Sequence, residues 1–260
     1  MARGVSTVLD VAVCLLLVGA AVATLAAAPP SSTASGPDAD DAARTVATAT
    51  KGVPVGNRTR HATLAAHLAS AAVGAATVDG RRVLATPYPD AVGNATADAV
   101  GDRVFVTASW EPYPNATVNG RITAGERPPE SAAVAATTLA VDSGVDPDPT
   151  ETGSFEALAR SLAAVYVEWL FPPERSRAEL VDRRTAPRTV ARYRAVGDAF
   201  GVDVDAELAD ANAEAANDAL VDGLAPRFEA ELRGRYETPA AAASAVTAGE
   251  TRVVVRRWEP

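Results

Sequence analysis

One long apolar run stands apart from the rest of the hydrophobic pattern. Residues 5–28 are mostly apolar and contain one charged residue, Asp10, and a short basic leader ending in Arg3-Gly4 precedes them. About 20 consecutive apolar residues cross a bilayer as a helix, whose backbone then satisfies its own hydrogen bonds. The pattern therefore predicts a transmembrane helix over residues 5–28, with the bulk of the chain on one side of the membrane.

After residue 42 the apolar positions follow shorter periods, first of strands and then of helices. Residues 60–76 have leucines at a spacing of four, which predicts a helix. Asp79-Gly80 favours the tight turn of a hairpin over residues 78–83. Alternation and flanking prolines predict further strands over residues 45–50, 103–110, 117–124 and 132–141.

Helical spacing dominates from residue 151 onward. Ser154 is a predicted N-cap, and Pro172-Pro173 ends the helix that follows it. The predicted helices are 155–171, 174–184, 187–200, 205–222 and 226–236, followed by a final strand over residues 252–258.

These elements predict a domain organisation and a fold class. The segments are a leader (1–4), the transmembrane helix (5–28), a linker (29–42), a strand-rich half (43–145) and a helical half ending in a strand (151–260). The two halves are expected to form one domain. The predicted fold class is α+β: a single N-terminal transmembrane helix followed by an extracytoplasmic domain with an antiparallel sheet and a helical C-terminal half.

Two parts of the chain repeat a similar sequence. Arg103-Val104-Phe105-Val106 leads to Trp110-Glu111-Pro112, and Arg252-Val253-Val254-Val255 leads to Trp258-Glu259-Pro260. Either the final strand joins the sheet beside its counterpart, or the two share only composition. Because alanine supplies much of the apolar content, the core is expected to depend on a few large residues: Trp110, Trp169, Phe171, Phe200 and Phe228.

Charge indicates the orientation and the class of partner. The chain has 24 basic and 33 acidic residues, a formal net charge of −9, and Lys51 is its one lysine. Such acidity disfavours nucleic-acid binding, which needs a basic face, and this composition resembles that of salt-adapted archaeal proteins. Arg3 before the apolar run and acids after it predict a cytoplasmic N-terminus, so the protein is expected at the cell membrane with its bulk outside.

Three Asn-x-Thr sequons agree with an exterior location. They begin at Asn57, Asn94 and Asn115 and use half of the six asparagines in the chain. Each is a glycosylation acceptor candidate.

Three interpretations of the N-terminus remain open. It is an uncleaved signal anchor, a secretory signal cut near Ala26–Ala28, or a prepilin-type signal. Pro29 disfavours the second interpretation, since it directly follows the best small-residue site.

A resemblance favours the third interpretation. Arg3-Gly4-Val5-Ser6-Thr7-Val8 is similar to the opening of haloarchaeal type IV pilins and pilin-like proteins, and the resemblance covers mainly residues 1–28. It implies that a prepilin-type peptidase cleaves between Gly4 and Val5, and that the chain packs with other pilin-like subunits. Under this interpretation Asp10 pairs with the free amine of Val5 in a neighbouring subunit and sets the register of the subunits during assembly. Otherwise the Asp10 carboxylate reaches the membrane interface. Pro29-Pro30 ends the helix early, which favours a minor or accessory pilin.

The sequence offers little catalytic chemistry. His61 and His67 are the only histidines and lie off one helical face, so no zinc site is predicted. The acids Asp142, Asp146, Asp148 and Glu151 lack the EF-hand pattern and are interpreted as a solvated loop. No nucleophile elbow, phosphate loop or dinucleotide fingerprint occurs.

The sequence therefore predicts a non-enzymatic, cofactor-free, pilin-like surface protein of a type IV pilus or related secretion filament. One alternative is an unprocessed, membrane-anchored envelope binding protein. The other is an anchored hydrolase.

Overall fold

The computed structural model describes residues 38–56, 58–147 and 153–260, which belong to one compact unit. The strands are β1 (Thr50–Val55), β2 (Arg58–Thr63), β3 (Thr77–Val78), β4 (Arg81–Arg82), β5 (Val104–Trp110), β6 (Gly120–Gly125), β7 (Ala133–Asp142) and β8 (Glu250–Glu259). The helices are α1 (Asp40–Thr48), α2 (Leu64–Gly74), α3 (Tyr88–Val100), α4 (Phe155–Leu170), α5 (Pro173–Val181), α6 (Ala186–Phe200), α7 (Asp205–Ala209), α8 (Ala213–Arg235) and α9 (Pro239–Ser244).

A four-stranded antiparallel sheet organises the domain. Its strand order is β6-β5-β8-β7, and two hairpins, β1-β2 and β3-β4, stand beside it. The final strand, β8, lies between β5 and β7, with Val104 opposite Arg257 and Trp110 opposite Thr251. The interpretation that the final strand joins the sheet beside its sequence counterpart is confirmed.

The inner face of the sheet packs against α2. Thr63 caps this helix by accepting a hydrogen bond from the Ala66 amide at 3.2 Å. Nearly every α2 side chain is buried, and most of them are small, so the helix backbone approaches the sheet closely. At Gly120 a Cβ atom would lie 1.9 Å from the Ala72 carbonyl oxygen. The helix and the sheet therefore meet at a contact that only glycine permits.

The helical half is built on α4 and α8, and aromatic residues join it to the sheet. Trp110 stacks on Tyr166 of α4 at 5.1 Å between ring centres, and its indole nitrogen donates to the Ala248 carbonyl at 2.7 Å. Tyr113 meets Phe228 of α8 edge to face. Of the expected core residues, Trp110, Phe171, Phe200 and Phe228 are buried, and Trp169 is partly buried.

The predicted fold class needs a correction. The domain is α+β with antiparallel sheets, but none of the helices among residues 38–56, 58–147 and 153–260 is long and apolar enough to cross a membrane. The longest of them, α8, carries the acids Glu214, Asp218 and Asp222 on its exposed side. The transmembrane helix is therefore not part of the described fold, and its predicted range, 5–28, lies outside the described residues.

Some local predictions were also wrong. Residues 45–50 were expected to form a strand, but α1 reaches Thr48, because Ala42, Ala43 and Val46 bury one face at helical spacing. The helix expected over residues 60–76 begins only at Leu64, since the preceding residues pair with β1. Helix α3, which was not predicted, has Pro89 in its first turn, where proline is tolerated.

The C-terminal helices divide at a different point from the one expected. Residues 205–222 and 226–236 were expected as two helices, with Pro226 starting the second. Instead Pro226 lies inside α8, and the break falls before Ala213. There Ala211 has a φ of 51°, and Asn212 caps the new helix by accepting from the Ala215 amide at 3.1 Å.

The contact at Gly120 generates a stability prediction. Gly120→Ala should lower the free energy of unfolding by about 3 kcal/mol, because the added methyl group overpacks a rigid helix–sheet contact. Gly234→Ala is the matched control, since nothing lies near its Cβ position and alanine favours a helix by up to about 1 kcal/mol. Denaturant unfolding measures both. Equal stability of the two variants would contradict the close helix–sheet contact.

Candidate functional site

In the described part of the chain, no helix packs on the outer face of the four-stranded sheet, and its residues are exposed or partly exposed. Three successive rows of side chains point to this side of the four strands: Arg121, Ser109, Arg252 and Ala140; Thr123, Thr107, Val254 and Thr138; Gly125, Phe105, Arg256 and Ala136. All of them are exposed or partly exposed, whereas their neighbours on the opposite face are buried in β5, β6 and β8 and partly buried in β7. We call these twelve residues, together with Arg127, the basic sheet face.

Arginine supplies all the charge of the basic sheet face. Its three rows contain no acid, and the carboxylates nearest in register, Asp142 and Glu250, form the next row at the end of the sheet. Arg127 lies over the Phe105 ring, with 5.9 Å between the guanidinium carbon and the ring centre. Among the described residues, no ion pair involves any of the four arginines. In general, an arginine fork binds an anion in a bidentate manner.

A concave surface lies between the end of β7, the hairpin β1-β2, α2 and the end of α4. We call it the acidic groove; it has a volume of about 750 Å³. Its charged and aromatic lining consists of Arg60, Asp142, Asp146, Glu168 and Trp169, and Ser70 also lines it. In the described part of the chain, no group of three or more His, Cys, Asp or Glu side chains could hold a metal ion.

A buried histidine fastens the hairpin β1-β2 to the helices beneath it. His67 of α2 is fully buried; its Nδ1 lies 2.7 Å from the Tyr88 hydroxyl and its Nε2 lies 3.0 Å from the Lys51 carbonyl oxygen. Because a carbonyl only accepts, Nε2 donates, and in the neutral ring Nδ1 accepts from Tyr88. Burial lowers the pKa of His67 below its ordinary 6.5, and the bond to Lys51 offsets part of this shift. His61, by contrast, is exposed on β2.

Hydrogen bonds to one carboxylate hold the loop that contains Asn115. Glu231 of α8 accepts from the Tyr113 hydroxyl at 3.0 Å, from the Thr117 amide at 3.1 Å and from the Thr117 hydroxyl. Burial raises the pKa of Tyr113, and the Glu231 charge adds to this effect. Arg235 of the same helix donates to the Pro114 carbonyl at 2.8 Å. The loop between β5 and β6 is therefore bound to the helical half.

The structure places only some of the residues that the sequence singled out. Gly4, Val5, Asp10 and Asn57 lie outside the described residues. Asn94 is exposed on α3, and Asn115 is exposed in the β5–β6 loop with a φ of 61°. The threonines of these two sequons have different surroundings in the folded domain. Thr96 is fully buried, whereas the Thr117 hydroxyl donates a hydrogen bond to Glu231.

Sequence reasoning missed both surfaces. The basic sheet face takes two arginines from β6 and the segment after it and two from β8, and only the strand order brings these distant parts of the chain together. One local signal was available: Arg252 and Arg256 are four residues apart on a predicted strand, which puts both on one face. In the acidic groove, Asp142 and Asp146 belong to the acids that were interpreted from sequence as a solvated loop, whereas Arg60, Glu168 and Trp169 join them from other elements.

The comparisons with known proteins identify a family. The profile of the Family of unknown function (DUF7284) matches residues 9–258. Because this match covers nearly the whole chain, the chain belongs to that family. Searches of curated proteins and of solved structures each gave no match.

The buried His67 predicts how stability depends on pH. Its pKa is lower in the folded state than the 6.5 of the unfolded chain, so below pH 6.5 the unfolded state binds more protons. The free energy of unfolding should therefore fall as the pH drops from 7 to 5, by about 1.4 kcal/mol for each unit by which folding lowers the pKa. His67→Gln should reduce this slope, whereas His61→Gln should not. Denaturant unfolding across this pH range makes the test, and equal slopes in all three proteins would contradict it.

Proposed function

We propose that this member of the DUF7284 family is a non-catalytic, pilin-like accessory subunit of a cell-surface filament. Its extracytoplasmic domain docks onto an acidic surface of a neighbouring subunit through the basic sheet face. The observation that carries the docking is the set of four arginines on an open sheet face with no carboxylate within its rows.

Charge complementarity defines the partner. An exposed face is common in antiparallel sheets, so exposure alone indicates no binding. This chain, however, has a net charge of −9, and yet it gathers Arg121, Arg127, Arg252 and Arg256 on one face. Surfaces of opposite potential favour association and fix its register. An acidic protein surface therefore fits this face best.

The shape of the face also favours a protein partner. The middle row consists of Thr123, Thr107, Val254 and Thr138, which are short side chains between the two arginine-bearing rows. Arginine and the aromatic ring of Phe105 on this face are residue types that are enriched in protein interfaces. The N-terminal resemblance to pilins supplies the filament as the assembly in which such a contact forms.

The docking prediction can be tested by site-directed cross-linking of the full-length chain in its native surface fraction. In a Cys14→Ala background, Thr123→Cys places a thiol on the basic sheet face, and Asp198→Cys places one on the exposed side of α6 as a control. A thiol-anchored photo-cross-linker should form an adduct from Thr123→Cys and not from Asp198→Cys. Mass spectrometry should locate the joined peptide on an acidic surface of a filament subunit.

Charge reversal completes this experiment. Arg252→Glu combined with Arg256→Glu should abolish the adduct, while Arg188→Glu on α6, away from the sheet, should leave it unchanged. A second copy of this chain as the joined protein would make the contact homotypic. An adduct that survives the double reversal, or equal adducts from both thiols, would overturn the docking role of the basic sheet face.

A separate experiment at the N-terminus tests whether the protein is pilin-like. Intact mass and peptide sequencing of the protein from its native membrane fraction should give a mature chain that begins at Val5. Gly4→Val should prevent this cleavage, because the peptidase that the resemblance implies cuts after a small residue. A chain that begins at Met1 or Ala2, or beyond Ala26, would contradict the pilin-like class.

A further inference from the structure

Strand β7 is an edge of the four-stranded sheet, and only alternate residues of its backbone bond to β8. The Ser143 amide donates to the Gly249 carbonyl at 3.1 Å, in the register of the two strands. Because bonded pairs alternate along an antiparallel ladder, the odd-numbered residues of β7 bond to β8. The Trp258 amide, which donates to the Arg103 carbonyl before β5, agrees, since it turns the even-numbered residues of β8 towards β5. The backbone groups of residues 134, 136, 138, 140 and 142 therefore point to the free edge.

The domain covers the other edge of this sheet but not the edge at β7. Thr123 of β6 is opposite Thr107, which bonds to β8, so the Thr123 carbonyl points away from β5. A Cβ on Gly93 of α3 would lie 3.0 Å from that carbonyl oxygen, which places α3 against the β6 edge. Within residues 38–56, 58–147 and 153–260, β7 pairs with no strand other than β8, and no other segment makes a backbone hydrogen bond to it.

The sequence of β7 lacks the features that usually keep an exposed edge from pairing. Natural sheets protect their edges with lysine, proline, bulges or very short strands. Strand β7 has ten residues, contains no proline and no basic residue, and keeps an unbroken register with β8. Its one acid, Asp142, lies at its end. The middle of this edge therefore presents backbone hydrogen-bonding groups between uncharged side chains.

We propose that β7 pairs with β7 of a second copy of this chain, antiparallel and about a two-fold axis, so that two four-stranded sheets join into one of eight strands. A two-fold contact brings the same patch of both copies together, and the outward-pointing residues of one strand must meet those of the other. With Thr138 on the axis, Ala136 faces Ala140 of the partner subunit, and Val134 faces Asp142 of the partner subunit. In this register no like charges on the two strands lie opposite each other.

A second copy suits this edge better than an unfolded peptide does. The edge requires an extended strand with free backbone groups and few charges. In a second copy β7 already has this conformation within a folded domain, whereas a flexible peptide loses conformational freedom when it binds. One pairing also satisfies the free edges of both copies. The inference goes beyond the proposed docking function, since it rests on the backbone of β7 and not on the arginines of the basic sheet face.

Electrostatics determines the conditions under which the two copies pair. Each copy has a net charge of −9. Asp40 of α1 accepts a hydrogen bond from the Thr137 hydroxyl at 2.7 Å, so two Asp40 carboxylates approach each other when the strands pair. Salt screens this repulsion, because the Debye length falls from about 10 Å at 0.1 M to about 3 Å at 1 M. Pairing through β7 should therefore strengthen with salt, whereas docking of the arginines onto an acidic surface should weaken.

The experiment counts the copies of the purified full-length chain in each particle. Light scattering of the protein in a mild detergent gives this number when the protein and detergent masses are separated. In about 1 M salt the wild-type protein should contain two copies, and dilution or lower salt should shift it towards one. Thr138→Lys places two like charges opposite each other at the axis and should weaken the dimer about fivefold. Thr123→Lys is the matched control, because it makes the same change on the edge strand that α3 covers, and it should leave the dimer unchanged.

Hydrogen exchange at single amides tests the geometry of the pairing. The amides of residues 134, 136, 138, 140 and 142 should become protected in the dimer, whereas β8 already protects the odd-numbered ones in a single copy. Ala136→Pro removes an amide that points to the free edge, where proline is tolerated. It should keep the fold and weaken the dimer at least about tenfold, because two hydrogen bonds between the copies are lost. Ala135→Pro removes an amide that bonds to β8 and should instead destabilise the domain.

Three results would overturn the inference. They are one copy per particle in about 1 M salt, equal effects of Thr138→Lys and Thr123→Lys, and protection of the even-numbered amides in a single copy. The last result would mean that another segment or another protein covers β7. None of them bears on the adduct from Thr123→Cys, which Thr138→Lys should leave in place because it adds no negative charge to the basic sheet face. Failure of the β7 pairing and failure of the docking face are therefore separately visible.

Discussion

The contact between α2 and the inner face of the sheet determines where both candidate surfaces lie. The Gly120 backbone meets the Ala72 carbonyl with no room for a side chain, so α2 lies flat on the sheet and covers one face only. The opposite face keeps its arginines in solvent. The same helix carries His67, which hydrogen-bonds to the hairpin β1-β2, and Ser70, which lines the acidic groove. One close helix–sheet approach thus leaves the outer face open and builds a wall of the groove.

The secondary structure was largely predictable where local chemistry determines it. Asp79 and Gly80 have φ angles of 50° and 77°, as the Asp-Gly turn predicted, and Ser154 caps α4 as expected. The prediction was wrong where tertiary contacts override a weak pattern. Strand β2 carries few apolar residues and forms because it pairs with β1. Helix α8 continues through Pro226 because Leu224, Ala225 and Phe228 bury its other side.

The candidate surfaces were less predictable than the elements that form them. Arg121 and Arg252 are far apart in sequence and reach the same row only through Ser109 of β5. That neighbourhood depends on the insertion of β8 between β5 and β7, which no local pattern determines. The repeated Arg-Val-x-Val and Trp-Glu-Pro stretches were compatible with this pairing, and also with shared composition. Only the register distinguishes the two interpretations.

The position of β8 links the basic sheet face to the core of the domain. Thr251, Val253 and Val255 point into the core, while Arg252 and Arg256 alternate with them toward solvent. The strand that completes the core therefore also supplies two of the four arginines. Burial of apolar area drives folding, so the basic sheet face forms together with the core. An unfolded domain would therefore lack the basic sheet face.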